Sequence, residues 1–137
     1  MTKTVRHNRI IFGALVLAIV AVIACATSAT DNAATILKIA DDGYKAASAA
    51  HDARVGSEPA DVHAKHRVIL VDFRKGLTAA WAVVIDAKQI NADPAPGAVY
   101  AAIKPTVGPF LELAVQLGAM KQSDADRVSA AITAVLG

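Results

Sequence analysis

From residue 31 onward the apolar positions recur every three or four residues and nowhere alternate, the signature of amphipathic helices rather than strands. Thr30 and Asp31 are good N-caps. Ile36, Ile39, Gly43, Ala46 and Ala50 then share one face, which predicts a first helix over 31–55 ending near Gly56. The face is small-sided, since Gly43, Ala46, Ala47 and Ala50 let a neighbouring helix come close. Pro59, with Ser57 or Glu58 before it as cap, opens a second helix over 59–91. Its stripe is Val62, His66, Ile69, Phe73, Ala80 and Val84, widened by Leu70, Leu77, Trp81 and Ile85, and Gly76 is its one weak point.

Residues 91–97, with Asn91, Pro94, Pro96 and Gly97, form the clearest turn in the chain. Val99, Ile103, Val107, Phe110, Ala114 and Leu117 keep helical spacing over 97–118, straight through Pro105 and Pro109. Two rules conflict there. An interior proline removes a hydrogen bond and clashes with the carbonyl four residues back, so a bend or restart is expected near Gly108 and Pro109, with Gly118 as the stop. Ser123 with Asp126 resembles a capping box, opening a last helix over 123–136 with Val128, Ala131, Ile132 and Val135 inward. The fold class expected is all-α: a small antiparallel bundle of about four helices spanning 31–137. Alanine dominates the apolar composition, which strengthens the helical reading.

The N-terminus follows a different pattern. Residues 1–9 are short, polar and basic, and residues 10–24 run without a charge, as the two parts of a secretory signal do. The run is shorter than the roughly 20 residues a spanning helix needs. Lys3, Arg6 and Arg9 on one flank, with no base again until Lys38, predict an N-terminus inside and a domain outside the cytoplasm. The positive charge of the whole chain resides in this segment. Beyond it, eleven basic residues face twelve acidic ones, leaving no basic patch to argue for nucleic acid.

The sequence Val22-Ile23-Ala24-Cys25 resembles the lipobox of bacterial lipoproteins, with a branched apolar residue three before the cysteine and a small residue directly before it. The resemblance covers the first 25 residues. It implies a signal peptide over 1–24 cut before Cys25, lipid attachment at Cys25, and a lipidated tether over 25–30. Val22 and Ile23 depart mildly from the commoner leucine and small residue. Two other readings stand beside it: cleavage after Ala26 at an A-x-A pattern, and retention of the segment as a tilted span. Cys25 is the only cysteine, and a lone thiol outside the cytoplasm has no disulfide partner within the chain, so its position favours acylation.

Catalytic motifs are absent from the sequence. There is no His-Glu-x-x-His, Gly-x-Ser-x-Gly or phosphate-cradling glycine loop, and Glu58 and Glu112 are too few for a di-iron carboxylate bundle. Asp41-Asp42 and the pair Asp124 and Asp126 read as solvated, helix-supporting acids rather than a glycosidase pair. His63-x-x-His66 puts two imidazoles on one helix. A zinc or copper site wants three or four ligands, and His51, Asp52 or Asp61 would complete one only if the first two helices met there. Without a third fixed ligand the expectation is no metal site, no cofactor and no catalytic residue, with His66 half-buried on the stripe and His63 in a solvated turn. Trp81 and Tyr44 read first as core or interface residues.

The function expected is therefore that of a non-enzymatic envelope lipoprotein, held in the cell membrane or outer membrane through Cys25. Its bundle would be a structural or interaction module contacting another envelope protein, itself or peptidoglycan. The alternatives are a small ligand- or metal-binding carrier using the bundle interior, and a phage or mobile-element accessory that alters the envelope.

Overall fold

Ser28 ends the incoming chain by turning its hydroxyl onto the Asp31 backbone N–H at 3.0 Å, which caps the first helix, α1 (Ala29–Asp52). The computed structural model describes residues 28–95 and 97–137; the expected signal segment, Cys25 and residues 26 and 27 of the expected tether lie outside them. Three more helices follow: α2 (Ala60–Gln89), α3 (Ala98–Gln116) and α4 (Gln122–Leu136). No strand occurs among the described residues, and the all-α bundle expected from the periodicity is what forms.

Consecutive helices run antiparallel. Thr30 at the start of α1 donates to Ala92 O and Asp93 Oδ1 beyond the end of α2, while His51 at the end of α1 meets His63 at the start of α2. The connections are too short for any other return path. Ile36, Leu37, Phe73, Leu77, Ile103, Phe110, Leu113 and Ile132 make one continuous core to which all four helices contribute. Phe73 and Phe110 stack face to face across α2 and α3, with centroids 3.8 Å apart and planes within 3°.

Several local expectations are corrected. Helix α1 begins two residues early because Ser28, not Thr30 or Asp31, is the cap, so residues 29 and 30, expected in the tether, are helical, and it ends at Asp52. Pro59 occupies the cap position of α2 instead of its first turn, with no side-chain cap; Ser57 Oγ donates to Arg54 O and Glu58 turns to a histidine. The capping box at Ser123 and Asp126 does not form. Lys121 is the cap of α4, which places Ser123 inside the first turn, and Gln122 Nε2 bonds Asp126 instead. Asp124 is buried and not solvated, and Ile85, expected on the apolar stripe, is 50 % exposed.

Helix α3 neither stops nor restarts at its prolines. The carbonyls they leave without partners belong to Ala101 and Pro105, both on the exposed side, where solvent can reach them. The opposite side carries Val99, Ile103, Phe110 and Ala114 into the core and keeps the helix continuous. By length and composition α3 would suffice to cross a membrane, but its apolarity serves this packing. It ends as expected at Gly118, φ 77°, where Ala119 N–H donates to Ala114 O and Gly118 N–H to Val115 O, a Schellman closure.

Gly76 is not a weak point. It is a point of close approach between α3 and α2: a Cβ there would lie 2.9 Å from Thr106 Oγ1 and 3.1 Å from Ala102 O. Helix α2 passes through it unbroken.

Candidate functional site

The last turn of α1 and the first two turns of α2 bring three histidines and a glutamate together. His51 is 3 % exposed, and its ring stacks on His63 with centroids 3.8 Å apart and planes within 13°. His66 stands edge-on to His51, centroids 6.4 Å apart. Glu58, immediately before the cap of α2, folds back over the helix start so that Oε1 accepts from His63 Nδ1 at 2.8 Å and lies 3.5 Å from His66 Nδ1. The side chains of Glu58, His63 and His66 are 12, 13 and 12 % exposed, so His63 is not in the solvated turn expected for it.

The partners dictate the tautomers. A backbone carbonyl only accepts, so His51 Nε2, 3.1 Å from His63 O, carries the proton and its Nδ1 is bare when the ring is neutral. That Nδ1 faces Asp52 Oδ1 at 3.6 Å on the exposed rim. His63 Nδ1 carries the proton given to Glu58, which leaves Nε2 with a lone pair, buried and without a partner. His66 Nδ1 is likewise buried and unpartnered.

Partial burial alone would raise the Glu58 pKa, but the hydrogen bond from His63 and the positive charges of His66 and His63 outweigh it and hold the carboxyl below its ordinary value. A carboxyl whose folded pKa is depressed stabilises the fold fully above its unfolded value, roughly pH 4.3, and loses that contribution as pH falls through the folded value. In chelator-treated protein the melting temperature of the wild type should therefore drop more steeply on the acid side than that of Glu58→Gln. Parallel acid limbs would show that the pairing adds nothing to stability.

A histidine oriented by a carboxylate is one half of a nucleophile-activating arrangement. The other half is missing from this cluster, because Ser57, the hydroxyl adjacent in sequence, donates to Arg54 O. What the arrangement does offer is donor atoms: one from each of His51, Glu58 and His63 lie within 4.8 Å of one another. His51 joins His63 in this group because α1 and α2 do meet there, whereas His66 stands beside the three and is not one of them. Asp61, on the exposed side of α2, has no part in this group, and Asp52 stands at its rim. Glu58 is the residue the sequence reading missed. Its signal was the spacing Glu58-x4-His63-x2-His66 across a helix start, hidden because a glutamate before a proline reads as a cap.

The space between Ile39, Phe73, Val107, Phe110 and Ile132 leaves no room for a water molecule. Trp81 packs against the core, while Tyr44 borders an open depression of about 540 Å³ floored by Val71, Thr78, Ala79 and Ala82 of α2 and rimmed by Arg74 and Lys75. Comparison with protein-family models, with curated proteins and with solved structures finds no match for this chain, so the reading of its function rests on its own residues.

Proposed function

We propose that this chain is a bacterial envelope lipoprotein, exported and anchored through lipid on Cys25, whose helical bundle works without catalysis by contact with another envelope protein or a second copy. The observation that carries the reading is the position of its only cysteine, at the end of a basic and then apolar N-terminal segment and three residues before the cap of α1. Two features of the bundle support a contact role. The space between Ile39, Phe73, Phe110 and Ile132 at the centre of the bundle admits no water, which argues against a ligand enclosed there. The outer side of α2 carries Val68, Val71, Lys75, Thr78, Ala82 and Ile85, all exposed, at alternating three- and four-residue steps, the spacing by which one helix seats against another.

The anchor is tested with the full chain expressed in a bacterial host. The wild type should label with radioactive palmitate, float with membranes after a high-salt wash and lack its first 24 residues. One acyl chain holds only marginally at about 0.8 kcal/mol per buried methylene, so stable retention requires two or three chains on Cys25. Cys25→Ser should lose the label and accumulate uncut. Soluble product beginning at Thr27 from both proteins would establish cleavage at Ala26 instead, and unlabelled full-length protein from both would establish a span; either result overturns the proposal.

A further inference from the structure

A buried imidazole nitrogen without a partner loses its hydrogen bond to water and gains nothing in exchange, and such atoms call for an ion or a bound water. Two occur within one cluster here, His63 Nε2 and His66 Nδ1, the latter 3.5 Å from Glu58 Oε1 but without a hydrogen bond, and the tautomer of neutral His51 leaves its Nδ1 bare toward Asp52 at the rim. The groups come from three separate parts of the chain: the end of α1, the connection before α2, and the first turns of α2. Their convergence is therefore a property of the fold and not of one helix. We infer that His51, Glu58 and His63, with His66 beside them, bind a divalent first-row transition ion of the zinc type.

The donor set selects the ion. Two imidazoles and one carboxylate, with the His66 imidazole beside them, suit zinc, nickel, cobalt(II) or copper(II). Calcium and magnesium want several hard oxygens, and Glu58 is the only carboxylate inside the cluster. No thiolate or thioether belongs to the group, which removes the basis for copper(I). Glu58 acts either as a ligand or as the outer carboxylate that holds His63 Nδ1–H and aims Nε2 at the ion; in both roles its loss weakens binding. The His51 and His63 rings lie nearly parallel, and an imidazole lone pair lies in the plane of its ring, so coordination by both requires one ring to turn out of the stack. The ion ties the end of α1 to the start of α2. It sits at the opposite end of α1 from the tether, about 33 Å away at 1.5 Å per residue. The inference does not depend on the anchor.

The test uses the full chain in detergent, stripped with chelator and titrated with zinc, with magnesium as control. Calorimetry should give one zinc per chain, and at a hundredfold excess over Kd the melting temperature should rise by about 10 °C. The ring resonances of His51, His63 and His66 should shift together while those of His7 stay unchanged. His63→Gln and Glu58→Gln, checked by circular dichroism for retained helix, should each weaken binding by about tenfold or more. His51 is buried deeply enough that its replacement can unfold the end of the bundle, so the two other variants decide. Absence of zinc binding, equal response to magnesium, or wild-type affinity in folded His63→Gln and Glu58→Gln each overturns the inference, the first by leaving water as the partner of the orphaned nitrogens.

Discussion

Phe73→Ala should cost about 3–5 kcal/mol, the usual range for emptying a fully buried aromatic site. Phe73 is 0 % exposed, and it touches Phe110 with its whole face, so both the transfer of the ring and its stacking are lost. For a domain with about 5–15 kcal/mol of total stability this removes a third or more, and the melting temperature should fall by about 15 °C or further. The stack itself is measured by a double-mutant cycle of Phe73→Leu and Phe110→Leu, with an expected coupling of about 0.5–1.5 kcal/mol. Additive single effects would mean that the two rings contribute volume only. A loss below 1 kcal/mol on Phe73→Ala would contradict the arrangement of α2 against α3.

Gly76→Ala is the second decisive case because two effects oppose each other. Alanine in place of glycine favours an isolated helix by about 1 kcal/mol. The added methyl would stand 2.9 Å from Thr106 Oγ1, which is held by its bond to Ile103 O, and 3.1 Å from the Ala102 carbonyl, which is backbone and cannot turn away. Overpacking of this kind costs about 1–3 kcal/mol and should win, giving a net loss of about 1 kcal/mol and a drop of several degrees. Gly76→Val, which adds bulk at the same point and lowers helix propensity, should lose two to three times as much. A stabilised Gly76→Ala protein would show that α2 and α3 do not approach each other here.

Both cases separate what one helix specifies from what two helices specify together. The number, type and approximate extent of the helices were legible in the sequence, because a period near 3.6 and the breaks at Gly56, Pro94 and Gly118 are local properties that each segment carries alone. The inward face of α1 and the stop at Gly118 were legible for the same reason. Caps were read less well. Several polar residues near a helix start are able to cap it, and neighbours decide which does: Glu58 is drawn to His63, and Ser123 lies inside a turn that Lys121 begins.

The sequence by itself therefore determined the all-α class, and the placement of Cys25 is what the proposal of export and anchoring rests on. Only the tertiary structure decided what meets what. Proline rules alone predicted a bend or a restart in α3, but the helix runs on without a restart, one side held in the core and the freed carbonyls of Ala101 and Pro105 on the exposed other. Gly76 looked like a helix defect until α3 lay across it. His63 and His66 were only a pair on one helix until antiparallel packing returned the end of α1 to the start of α2 and set His51 against His63, with Glu58 folded back onto them. Spacing along a chain sets which residues share a helix face; the rotation and crossing of two helices set which faces touch, and no single segment contains that information.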